Sequence, residues 1–174
     1  MTERAPVETI NLDQYGNPPV SWSQARDRLA SGEAGRDVAF FLGTIGPDDR
    51  PRAARVGALW VDGDFYFVSG PETRKSRNLA ANPACTIAAQ LEGIDLVCEG
   101  EATRVVDRPT LEKVASLYRE HGWPAEVEGD ALSAPYNASS AGPPPWFLYR
   151  FTIDAAVGVT TAEPYGATRW RFAR

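Results

Sequence analysis

The segment Glu72–Leu79 reads ETRKSRNL and gathers three cations, Arg74, Lys75 and Arg77, where a helix would begin. Gly70-Pro71 allows a tight turn into it, and Thr73 is a suitable N-cap. A helix start offers unpaired backbone N–H groups and the positive end of the peptide dipole, which together favour an anion. Arg74 and Asn78 are four apart and share a face. Lys75 lies about 100° round from Arg74, so the two cations can reach one phosphate-sized group from two sides. A solvated basic helix paired to Glu72 accounts for the same run. Arg55 is a second candidate. It interrupts Ala53-Ala54-Arg55-Val56-Gly57, where a charge must be paired, face solvent or meet a ligand. Its small neighbours leave room for a flat ring against the backbone. A plain exterior position fits it as well.

Other chemistries have little material. His121 is the only histidine, so a Ser-His-Asp triad or a histidine metal site is not expected, and His121-Gly122 reads as a helix end. The two cysteines, Cys85 and Cys98, form no CxxC pair and read as buried reduced thiols. Glu99 and Glu101 share a strand face with nothing converging on them. A net charge of −5 argues against a nucleic-acid partner. Met1–Gln14 has no apolar signal core, and the longest apolar run, Val38–Leu42, is too short to span a membrane. A cytoplasmic protein is the expectation.

The elements that must hold these residues are mostly strands. In 174 residues of which 43% are hydrophobic, one domain is expected over 21–174, preceded by an arm over 1–20. Ser21 or Ser23 caps a helix with Trp22, Ala25 and Leu29 on one face, ended by Gly32 and Gly35. Val38–Ile45, Pro51–Val61 and Asp64–Ser69 read as strands, with a turn at 46–49 and a hairpin at Asp62-Gly63. In the third strand, Phe65 and Phe67 face opposite to Tyr66 and Val68. A short helix over Thr73–Ala81 stops at Asn82-Pro83. Cys85–Gln90 and Ile94–Val106 pair next, and Asp107 caps a helix with Leu111, Val114, Leu117 and Tyr118 inward. Trp123–Pro145 is rich in Pro, Gly, Ala and Ser and fits either a functional lid or a surface insertion. Trp146–Ile153 and Thr168–Phe172 return to strand. About six hairpin-linked strands with a few helices predict a mainly β (α+β) fold built on an antiparallel barrel.

In their order, these motifs resemble the split-barrel flavin and deazaflavin oxidoreductases, the pyridoxamine 5′-phosphate oxidase-like proteins. The match runs through Asp49-Arg50-Pro51, Asp62-Gly63, Phe65-Tyr66-Phe67, Arg74–Leu79, Asn82-Pro83, Glu99-Gly100-Glu101-Ala102 and Ala167–Phe172, and it covers roughly residues 21–174. The resemblance implies an FMN-binding-like split antiparallel barrel and a homodimer with cofactor sites at the subunit interface. It implies that Lys75, Arg74 and Asn78 hold the cofactor phosphate, that Arg55-Val56 and Ser69-Gly70 lie along the ring and ribityl chain, and that Gln90 and Trp170 approach the site. The ending Arg169-Trp170-Arg171-Phe172 has no histidine after His121, unlike the vitamin B6 oxidase, so pyridoxamine phosphate oxidation is not expected. Lys75–Leu79 looks closer to the branch using coenzyme F420, with FMN as the alternative. The implied activity is hydride transfer to a small unsaturated organic substrate. Tyr136, or water, is a candidate proton source if the 123–145 segment folds over the site. A non-catalytic barrel that stores or senses a flavin or haem is the reading from another functional class.

Overall fold

The computed structural model describes residues 4–31, 38–136, 138–139 and 141–173. Three helices and eleven strands lie among them. Ser21 caps α1 (Trp22–Ala30) by accepting from the Ser23 N–H, and Trp22, Ala25 and Leu29 form its buried face as expected. The α1 helix ends at Ala30 with Ser31 as C-cap, so the stop expected at Gly32 and Gly35 falls outside the described residues.

The barrel follows from pairing. Strands β2 (Phe40–Ile45) and β3 (Pro51–Val56) form a hairpin across the turn at 46–49. The single strand expected over Pro51–Val61 is instead two. It breaks at Gly57, because β3 pairs with β2 while β4 (Ala58–Val61) pairs with β5 (Asp64–Ser69). Tyr118 donates its hydroxyl to the Gly57 carbonyl at 3.1 Å at that break. The Asp62-Gly63 hairpin has both central residues at positive φ, 53° and 90°, as a twist-matched two-residue turn requires.

After α2 (Arg74–Ala81) come β6 (Ala84–Leu91) and β7 (Ile94–Val105), with all of β6 paired to Ile94–Glu101 of β7. Strand β10 (Phe147–Thr160) is fourteen residues long, well beyond the expected Ile153. Its length has a topological reason. It pairs with β7 on one side, and on the other first with β5 and then, past an irregularity at Asp154, with β11 (Ala167–Arg171). From β3 the sheet runs through β2, β6, β7, β10 and β5 to β4, so it returns to the chain one residue from where it began. This is the split barrel. Within the expected arm, β1 (Glu8–Asn11) adds to the edge of β11.

Apolar side chains fall into two clusters, as the period-two pattern of β5 predicts. Phe65 and Phe67 point into the barrel with Phe40, Ile87, Leu96 and Phe151, while Tyr66 and Val68 point out. Trp22 of α1 closes one end of the barrel against Trp60, Trp170 and Phe172, at ring separations of 6.3, 5.4 and 4.9 Å. The second cluster lies under α3 (Arg108–Glu120), which Asp107 caps as expected, with Leu111, Val114, Ala115 and Tyr118 buried. The 123–145 segment contributes to this cluster: β8 (Glu126–Glu128) and β9 (Ala131–Ser133) form a hairpin, and Leu132 is fully buried.

Both cysteines are buried and unpaired. Burial pushes the Cys85 thiol up to about 12 and raises that of Cys98 as well. Only the thiolate reacts, and at pH 8 a thiol with that value is ionised in roughly one molecule in ten thousand. A thiol-reactive dye should therefore label neither cysteine in the native protein and both of them in guanidinium. Rapid native labelling would contradict this burial.

Candidate functional site

The site begins where β5 ends. Ser69 and Gly70 are buried, and the chain turns there into α2. Each hydroxyl carries one proton, which fixes a direction along the chain of contacts. Ser76 Oγ donates to Ser69 Oγ at 2.8 Å, Ser69 to Thr73 Oγ1 at 2.7 Å, and Thr73 to the Gly70 carbonyl at 2.8 Å. Thr73 also caps α2 by accepting from the Ser76 N–H at 3.3 Å. A Cβ on Gly70 would lie 1.9 Å from the Ala141 carbonyl oxygen, so only glycine lets the 123–145 segment rest there.

Between the first turns of α2 and the edge strand β3 runs a groove of about 640 Å³, lined by Thr44, Arg52, Ala53, Ala54, Arg55, Thr73, Arg74, Lys75 and Asn78. Arg55 and Arg74 are exposed, Lys75 is half-buried and Asn78 is buried. Burial lowers the Lys75 ammonium below its ordinary 10.5, which is the signature of a cation held where water is scarce. Among the described residues, Arg55, Arg74 and Arg77 have no carboxylate partner, whereas Arg52 is paired to Asp48 at 2.7 Å. Three unpaired guanidinium groups on one side of a chain of net charge −5 form a local positive patch.

A second cleft of about 620 Å³ adjoins this groove and shares Arg52, Arg74 and Asn78 with it. Its walls are the 46–49 turn and the outer face of α2, including Arg77. Asp48 and Asp49 stand on the turn side.

The structure thus brings together Arg55, Arg74, Lys75 and Asn78. Val56 follows on β3 but turns into the barrel core. Ser69 and Gly70 lie beneath the helix start, in the hydroxyl chain. Gln90 is exposed at the far end of β6, opposite Asp95. Trp170 is fully buried, donates to the Val20 carbonyl at 3.2 Å and packs on Gly158. Neither lines the groove. Thr44, Arg52 and Ser76 belong to the site and were not expected there. Ser76 alone had a visible signal, one turn past the cap in the cationic run. His121 is the C-cap of α3 with Nδ1 2.7 Å from the Leu117 carbonyl oxygen. No group of three or more His, Cys, Asp or Glu side chains is placed to hold a metal among the described residues.

The profile of one family, pyridoxamine 5′-phosphate oxidase, matches residues 33–157, which takes in the whole groove. The chain belongs to that family. Membership places it among the pyridoxamine 5′-phosphate oxidase-like split barrels. The fold is similar to that of a pyridoxamine 5′-phosphate oxidase-related, FMN-binding protein from Nostoc punctiforme, with a TM-score of 0.56 and 16% identity over 83% of this chain and 85% of that one. It is similar to PhzG from Burkholderia lata, solved with tetrahydrophenazine-1-carboxylic acid, with a TM-score of 0.54 and 16% identity over 94% and 96% of the two chains. A NimC/NimA family protein from Clostridium acetobutylicum gives 0.52 and 19% over 84% and 91%. No curated protein matches in sequence. Among the described residues, no helix is long and apolar enough to cross a membrane.

Proposed function

We propose that this family member is an oxidoreductase that binds coenzyme F420 and transfers hydride to a small unsaturated organic substrate. The observation that carries the reading is the continuity of the groove and the cleft at Arg52, Arg74 and Asn78. FMN ends at its phosphate and needs only the groove. Coenzyme F420 continues beyond its phosphate as an anionic chain, and Arg74 and Arg77 stand along that continuation without carboxylate partners. The donor set fits such a ligand: Arg74 and Lys75 would hold the phosphate, and Arg55 the adjoining part of the cofactor. When bound, the reduced deazaflavin supplies the hydride. The protein's part is to bind, orient and exclude water. FMN is the alternative that family membership favours. A haem-binding barrel is disfavoured, because His121, the only histidine, stands at the C-cap of α3 and lines neither the groove nor the cleft.

Parallel calorimetric titrations with FMN and coenzyme F420 test this. Tighter binding of F420, with the difference abolished in Arg77→Ala, is the expected result. Equal or tighter binding of FMN would return the assignment to FMN. We further infer that two copies associate through the outer face of the sheet, where Arg55, Phe41, Ala88, Val97, Val157 and Arg169 stand side by side across neighbouring strands.

A further inference from the structure

The α2 helix has eight residues, too few to hold itself together, and of its three buried side chains only Leu79 is apolar. Hydrogen bonds therefore decide how it sits on the barrel. At its start the hydroxyl chain through Ser76, Ser69 and Thr73 fixes it to the end of β5. One turn further on, Asn78 ties the helix to β2 in the barrel wall: Nδ2 donates to Thr44 Oγ1 at 3.0 Å, and both residues are 3% exposed. Thr44 pairs with Arg52 on β3 and with Cys85 on β6, so it stands on rigid sheet. Asn78 lies on the same helical face as Arg74, four residues back. An amide spending a donor on Thr44 cannot turn freely toward an anion.

We propose that Thr44 is a positioning residue for the anion site: by holding Asn78, it sets the rotation of α2 and so aims Arg74 and Lys75 into the groove. Asn78 is then principally a link between strand and helix rather than a phosphate ligand. The proposal rests on the groove being a phosphate-ester site, and its test separates the two claims. Without the Thr44 hydroxyl, a buried amide donor loses its partner and the helix must turn or shift to recover one.

The experiment is a titration of wild type, Thr44→Val, Thr44→Ser, Asn78→Ala and the Thr44→Val/Asn78→Ala double variant with FMN and with inorganic phosphate, each protein checked by circular dichroism. Thr44→Val should weaken binding about tenfold. Thr44→Ser, which keeps the hydroxyl, should restore most of it. In the Asn78→Ala background, Thr44→Val should have no further effect, because the two act as one link. Asn78→Ala breaks the same bond from the helix side and carries the test if the valine variant does not fold. Wild type that binds neither probe overturns the anion-site reading and this inference with it. Wild type that binds, with Thr44→Val equally tight or with additive losses in the double variant, overturns the positioning role alone.

Discussion

Replacing Lys75 with alanine is expected to weaken cofactor binding about 10–100-fold, because it removes charge-assisted hydrogen bonds of roughly 1.5–3 kcal/mol. Lys75 is singled out among the cations by its half-buried position, where an anion meets it with less water between. The same burial gives the prediction a pH dependence. In the free protein the Lys75 ammonium titrates below its ordinary 10.5, and a bound phosphate ester raises it again. The complex therefore binds more protons than the free protein between those two values. Affinity should fall as pH rises through the free-protein value, and in Lys75→Ala that alkaline loss should disappear. Calorimetry at several pH values reads both effects. Wild-type affinity in the alanine variant, or an unchanged alkaline profile, would remove Lys75 from the site. A lysine with a depressed folded-state value contributes stability above 10.5 and loses it as pH falls through the folded value, so at neutral pH its charge adds no stability through this shift.

Most of what positions Lys75 is local, and local features are legible in a sequence. Thr73 caps α2, Asn82 ends it, Asp62-Gly63 makes the hairpin, and alternation along Asp64–Ser69 divides Phe65 and Phe67 from Tyr66 and Val68. Each depends on a few neighbouring residues. What was not legible depends on partners far along the chain. Nothing between Pro51 and Val61 announces a break, because Gly57 separates two strands only once β3 has chosen β2 and β4 has chosen β5. Phe147–Thr160 is one strand because three others pair along it. Trp170 illustrates the limit at the site. Its place in a C-terminal motif suggested a ligand wall, while its inward register and the space left by Gly158 make it barrel core, with a Cβ on Gly158 only 2.6 Å from its ring. Thr44 was hidden for a similar reason: a threonine in an apolar strand gives no sign that a helix amide will find it.

Val97→Asp is expected to split a dimer into monomers, halving the mass measured by light scattering at micromolar concentration. The outer face of the sheet carries a row in direct register, Arg55–Phe41–Ala88–Val97–Val157–Arg169, crossing six strands or roughly 24 Å at about 4.8 Å spacing. Phe41 and Val97 are 48% and 43% exposed, and Val159 lies exposed on the neighbouring row. A contiguous apolar stripe on an open sheet face is the mark of an interface. The same face carries arginines at the row's ends and the carboxylates of Asp95, Glu99 and Glu101 beside it, so it holds both signs of charge for a two-fold to match. In a two-fold interface every substitution is present twice. An aspartate at Val97 costs the folded monomer little, since the position faces solvent there, but leaves two buried charges at several kcal/mol each when copies meet. Arg55 borders both the row and the groove, and Gln90 lies on the row's own face, so the monomeric variant should also bind cofactor more weakly. Monomeric wild type, or Val97→Asp of unchanged mass, would exclude this face as the contact. A monomer with full affinity would instead show that each groove is complete within one chain.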